Sequence, residues 1–101
     1  MNISKETELI IKLKHLPGFG PKNVELVSKP MIEYNLFLDN DIEEYVQQCV
    51  KTNYLRLNKE LTSEHYRKAI DEAKRIINTS LNNNILLFLN MIVFFRLNLK
   101  N

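Results

Sequence analysis

Leu16-Pro17-Gly18-Phe19-Gly20-Pro21-Lys22 sets two glycines around one apolar residue, flanks them with prolines and adds a lysine. Lying between two segments of helical periodicity, this composition predicts a tight turn whose backbone can approach an anion. Gly18 and Gly20 can adopt positive φ at little cost and carry no Cβ to hold a ligand away. Pro17 restricts the chain as it enters the turn. Pro21 suits the first position of a helix, where its missing N–H is no loss. Phe19 is expected to point inward and pin the turn. The amides of Gly18, Gly20 and Lys22 then gather at the positive end of a helix dipole, a setting that favours phosphate. Lys22 is the leading side-chain contact, with Lys12 and Lys14 in support. The competing reading is an αα-hairpin turn without a ligand and a solvated lysine face.

Other reactive residue types do not form constellations. His15 falls at a helix end, where a cation–dipole contact is its simplest role, and His65 lies in the first turn of another helix on its exposed side. Two lone histidines without neighbouring carboxylate or cysteine ligands make no metal site. Asp39-Asn40-Asp41 lacks the glycine and distal glutamate of a calcium loop and reads as helix capping. No serine, cysteine or carboxylate pair has triad or acid–base spacing, so neither catalysis nor a cofactor is expected. Tyr34, Tyr45, Tyr54 and Tyr66 read as core or rim.

The elements that must position the turn are helical. Leu9, Ile10, Leu13 and Leu16 share one face of a helix over 6–16. A second helix begins at Pro21, with Val24 and Val27 inward and Leu26 at the margin. It is expected to stop near Ser28, because Pro30 disfavours helical geometry at Lys29. Residues 31–38 read as a short helix or an apolar connector. Asp39 and Asn40 then offer caps for a helix whose Ile42, Tyr45, Val46, Cys49 and Val50 follow the i, i+3, i+4, i+7, i+8 pattern. After a polar link, Thr62 caps the longest helix, and Leu61 with Tyr66 can staple across it. Its inner stripe is Tyr66, Ala69, Ile70, Ala73, Ile76 and Ile77, and it is expected to end near Thr79. Asn82-Asn83-Asn84 reads as a break, and Ile85 to Phe95 is almost continuously apolar. That run falls short of the roughly 20 residues a bilayer span needs, so no membrane partner is expected.

Composition bounds the rest. A chain of 101 residues, 45% hydrophobic and 26% charged, suits one small domain with an ordinary polar surface. Net charge is only +2, which does not by itself announce nucleic acid, although the first third leans basic. The single cysteine excludes a disulfide framework, and together with the polar opening segment it fits a cytoplasmic protein. The expected fold is all-α, a bundle of four to five helices over 1–80, followed by an apolar segment over 81–101.

Leu16-Pro17-Gly18-Phe19-Gly20-Pro21-Lys22 resembles the helix-hairpin-helix motif, which grips a nucleic-acid backbone without reading sequence. Three features together widen the resemblance: that turn after an N-terminal helix, the helix Ser63–Ile77, and Asn83-Asn84-Ile85 where a first strand would begin. Over 6–85 the chain is similar to the N-terminal region of the bacterial DNA-processing family DprA, also called Smf. There a sterile-alpha-motif-like or helix-hairpin-helix-like domain precedes a Rossmann-like domain. The resemblance implies sequence-independent DNA contact at Gly18, Gly20, Lys22, Lys12 and Lys14, and a part in natural transformation and recombination. It also implies RecA recombinase as a partner. The departure comes after Ile85, where members continue into an Asp-x-x-Tyr/Phe-Pro segment and the Rossmann-like domain. This chain instead reads Leu86-Leu87-Phe88-Leu89-Asn90-Met91-Ile92-Val93-Phe94-Phe95. A truncated or frame-shifted product, keeping only the start of a lost domain, is the expectation. The rival expectation is a sterile-alpha-motif-like protein-interaction module whose apolar tail docks on a partner or on a second copy.

Overall fold

The structure, a computed structural model, describes residues 3–83, and their side chains as far as residue 79. Within that span the chain is all-helical: α1 (Lys5–Lys14), α2 (Pro21–Glu33), α3 (Asp39–Lys51) and α4 (Ser63–Asn83). α1 packs against α2 and α4, and α3 packs against the same two helices, so the four close around a shared interior. Expectations for residues 84–101, including the apolar run, lie outside the described residues.

Local chemistry accounts for each helix start. The Ser4 hydroxyl accepts the Thr7 amide at 3.1 Å and caps α1. Thr62 caps α4 reciprocally with His65: the Thr62 amide donates to His65 Nδ1 at 2.9 Å, and the His65 amide reaches the Thr62 hydroxyl at 3.4 Å. That is a capping box with imidazole where glutamate is usual. α3 departs from expectation. Asp39 and Asn40 lie in its first turn, and Asp41 does the capping by accepting the Leu38 amide at 3.0 Å.

Pro30 does not end α2, which runs on to Glu33. The helical acceptor that proline orphans, the Leu26 carbonyl, takes the Tyr54 hydroxyl instead, at 3.3 Å. Asn35, just past the C-cap Tyr34, closes α2 with a φ of 60° that supports a Schellman turn: Leu36 N–H reaches Met31 O at 2.8 Å and Asn35 N–H reaches Ile32 O at 3.1 Å. Asn53 (φ 61°) lies just past the end of α3 in the same way. α4 likewise runs beyond Thr79, its expected end, and includes Asn82 and Asn83; the rest of the expected break, at residue 84, lies outside the described residues.

The main core joins Leu9 and Leu13 of α1, and Leu16 of the turn after it, to Val27 and Met31, Ile42 and Val46, and Tyr66 and Ala69 of the other helices. A second cluster of Ile11, Ala73 and Ile77, with Ile3 against it, seals α1 onto α4. Ile11 lay off the single stripe read from the sequence; α1 is buried on two sides because it has two helical neighbours. Val50, placed on the inner face of α3 by periodicity, is 40% exposed.

Candidate anion-binding site at the first interhelical turn

Residues 15–20 connect α1 to α2 with two inward anchors. Leu16 and Phe19 are buried, while Pro17, Gly18, Gly20, Pro21 and Lys22 are exposed. Phe19 N–H donates to Leu16 O at 3.1 Å, and the Asn23 side-chain amide donates to Gly18 O at 3.2 Å. The loop is thereby fixed from both ends. Asn23 escaped sequence reading because a side chain reaching back to a loop carbonyl leaves no periodic signal.

The two glycines play different parts. Gly18 has a φ of +79°, where a side chain is strained, and a Cβ there would stand 3.6 Å from Leu57 Cδ2. Gly20 has a φ of −82° and nothing within 4 Å of a notional Cβ. The expectation of positive φ at both is corrected: Gly20 is the N-cap of α2, in extended geometry that other residues also adopt.

Among the described residues no acceptor meets the backbone N–H of Gly18, Gly20 or Lys22; the first amide of α2 to be satisfied is that of Val24, by Gly20 O at 3.0 Å. α2 has no side-chain cap and no acidic residue in its first turn, whereas α1, α3 and α4 each carry acid there. Its positive end faces solvent without an internal anion. Lys22 and Lys14 are exposed beside this region of the chain.

Lys12 does not belong with them. Its side chain is 5% exposed, and its ammonium lies 2.8 Å from Asp39 Oδ1 and 3.2 Å from Glu8 Oε1. A phosphate contact would require breaking both pairs. Lys74 adds a third contact, 3.1 Å from Asp39 Oδ2. Burial raises the Asp39 pKa, but the hydrogen bonds and charges of Lys12 and Lys74 outweigh it and hold the carboxyl below its ordinary range. This cluster clamps the start of α3 between α1 and α4.

The histidines are structural in part. His15, at the C-cap of α1, has Nδ1 2.8 Å from Ile11 O, and His65 is half-buried in the α4 cap rather than simply exposed. Cys49 is buried, and burial pushes its thiol pKa up against the lowering effect of a Tyr45 hydrogen bond. Among the described residues there is no cluster of metal-ligating side chains, and no helix long and apolar enough to cross a membrane. Comparison with family models, with curated proteins and with solved structures returns no match for this chain.

Proposed function

We propose that the chain is a helical module that holds DNA phosphates without reading sequence, through the Gly18–Lys22 turn. The observation that carries this reading is the set of open amides at Gly18, Gly20 and Lys22, at a helix start that lacks any internal anion. Lys22 supplies the nearest charge and Lys14 a second; Lys12 is withdrawn from the set. The turn and the two helices it joins would act as a helix-hairpin-helix element. A role in DNA uptake and recombination, with RecA as partner, follows from the DprA/Smf resemblance alone.

So few contacts predict weak binding, in the ~10⁻⁴ M non-specific range at physiological salt, and moderately tighter binding at low salt. The test is fluorescence anisotropy of a labelled oligonucleotide across a salt series, with Lys22→Glu alongside. The reading expects binding that weakens as salt rises, indifference to sequence, and marked weakening by the charge reversal. Absence of binding at low salt, or binding that ignores Lys22→Glu, overturns it.

A second reading has its own observation. Tyr34, Leu38 and Tyr54 are 67%, 70% and 48% exposed, which is generous apolar surface for so small a domain. A protein-interaction module, including self-association through the apolar tail, is the alternative that a failed DNA titration would favour.

A further inference from the structure

Beside the turn lies an open groove of about 550 Å³, bordered by His15 and Pro17 on one side and by His65, Lys68 and Ala69 of α4 on the other. Its acidic members are already engaged: Glu72 pairs with Arg75, and Asp71 lies 3.9 Å from Arg67 Nη1. The two imidazoles present opposite chemistry. The Ile11 carbonyl can only accept, so His15 Nδ1 carries the hydrogen, and in the neutral ring its Nε2 is an acceptor. The Thr62 amide can only donate, so His65 Nδ1 is the acceptor and its Nε2 carries the hydrogen. One free acceptor and one free donor therefore belong to a single groove.

A phosphodiester, which offers only acceptors, cannot satisfy both neutral rings. An aliphatic group satisfies neither. A nucleobase edge sets donors and acceptors side by side on a flat ring, and Pro17 and the imidazoles give that ring apolar faces to lie against. Pro17 is directly bonded to Gly18, so the groove is continuous with the turn. We propose that this groove holds one unpaired nucleobase of a strand whose phosphate rests on the turn, with His65 donating and His15 accepting. The proposal rests on the phosphate reading above.

The experiment uses the full chain and two labelled single-stranded oligonucleotides of equal length. One is normal; the other carries consecutive abasic sites, which keep the phosphates and remove the bases. At equal salt the abasic strand is expected to bind about fivefold more weakly, or worse. His15→Asn and His65→Gln, the latter retaining a side chain able to accept the Thr62 amide, are expected to erase that difference while circular dichroism stays helical. Equal affinity for both strands, with Lys22→Glu weakening both, removes the base subsite and leaves the phosphate contact standing. Discrimination that persists in both histidine variants overturns the assignment to these residues. Indifference of both strands to Lys22→Glu removes the phosphate reading, and the subsite with it.

Discussion

The Tyr54 hydroxyl donates to the Leu26 carbonyl at 3.3 Å, the very acceptor that Pro30 leaves without a helical amide. A residue beyond the end of α3 thereby repairs a defect in the middle of α2 and joins the two helices. Tyr54→Phe is expected to cost about 0.5–1 kcal/mol, the ordinary net worth of such a bond. Pro30→Ala restores an amide for Leu26 and is expected to stabilise by about 1–2 kcal/mol, reduced by the lost rigidity of the unfolded chain. The decisive measurement is the double variant by urea unfolding. With Ala at position 30 the Tyr54→Phe cost should nearly vanish, because the carbonyl no longer needs the hydroxyl. Additive costs would show that Tyr54 stabilises by packing alone.

The helix count and most of the α4 stripe were legible because periodicity reports burial directly: Tyr66, Ala69, Ile70, Ala73 and Ile77 are buried, while Ile76, read on the same stripe, is half-buried at its edge. The Thr62 cap was legible as well, since it depends on neighbours in sequence. What escaped were features set by distant partners. Pro30 reads as a stop only while Tyr54 is unknown to be its compensator. Lys12 reads as a surface cation until Asp39 and Glu8 are seen around it. At the turn, residue types foretold the inward Phe19 and the positive φ of Gly18. They could not foretell that Gly20 would be extended, because glycine permits both geometries.

Asp39 makes stability depend on acid. Its native carboxyl is held below the unfolded value of about 3.9, so its contribution is complete above that value and drains away as pH falls through the lower native one. Asp39→Asn leaves the buried Lys12 with Glu8 alone. At pH 7 the expected cost is about 1 kcal/mol, discounted because the carboxylate is 41% exposed and screened. Unfolding curves of both proteins should converge as the pH is taken below about 4. A difference that stays constant from pH 7 to pH 3 would mean that the charge is irrelevant and the side chain merely packs.

Asn35 holds φ at 60° to close α2. Asn35→Ala forces a Cβ with no compensating polar side chain into the left-handed region, at an expected cost of about 1 kcal/mol. Asn35→Gly should match or exceed the parent protein in stability. Thermal melts of the three proteins give the ranking Gly at or above Asn, then Ala. An alanine variant as stable as the parent would show that the Leu36–Met31 and Asn35–Ile32 bonds do not depend on that conformation.

Gly20 offers the sharpest separation of fold from function, because its backbone needs no glycine while its neighbours' amides are open. Aspartate at an N-cap accepts from the second or third amide of its helix and complements the dipole, so Gly20→Asp is expected to raise stability by about 0.5–1 kcal/mol. The same carboxylate occupies the amides that would meet a phosphate and repels the anion. DNA affinity at low salt should therefore fall roughly tenfold or more while the melting temperature rises. Gly18→Ala should do the reverse in kind: strain at a φ of +79° lowers stability by about 1–2 kcal/mol, and binding falls only as the folded population falls. If Gly20→Asp stabilises the protein and leaves DNA affinity unchanged, the turn amides do not meet the nucleic acid.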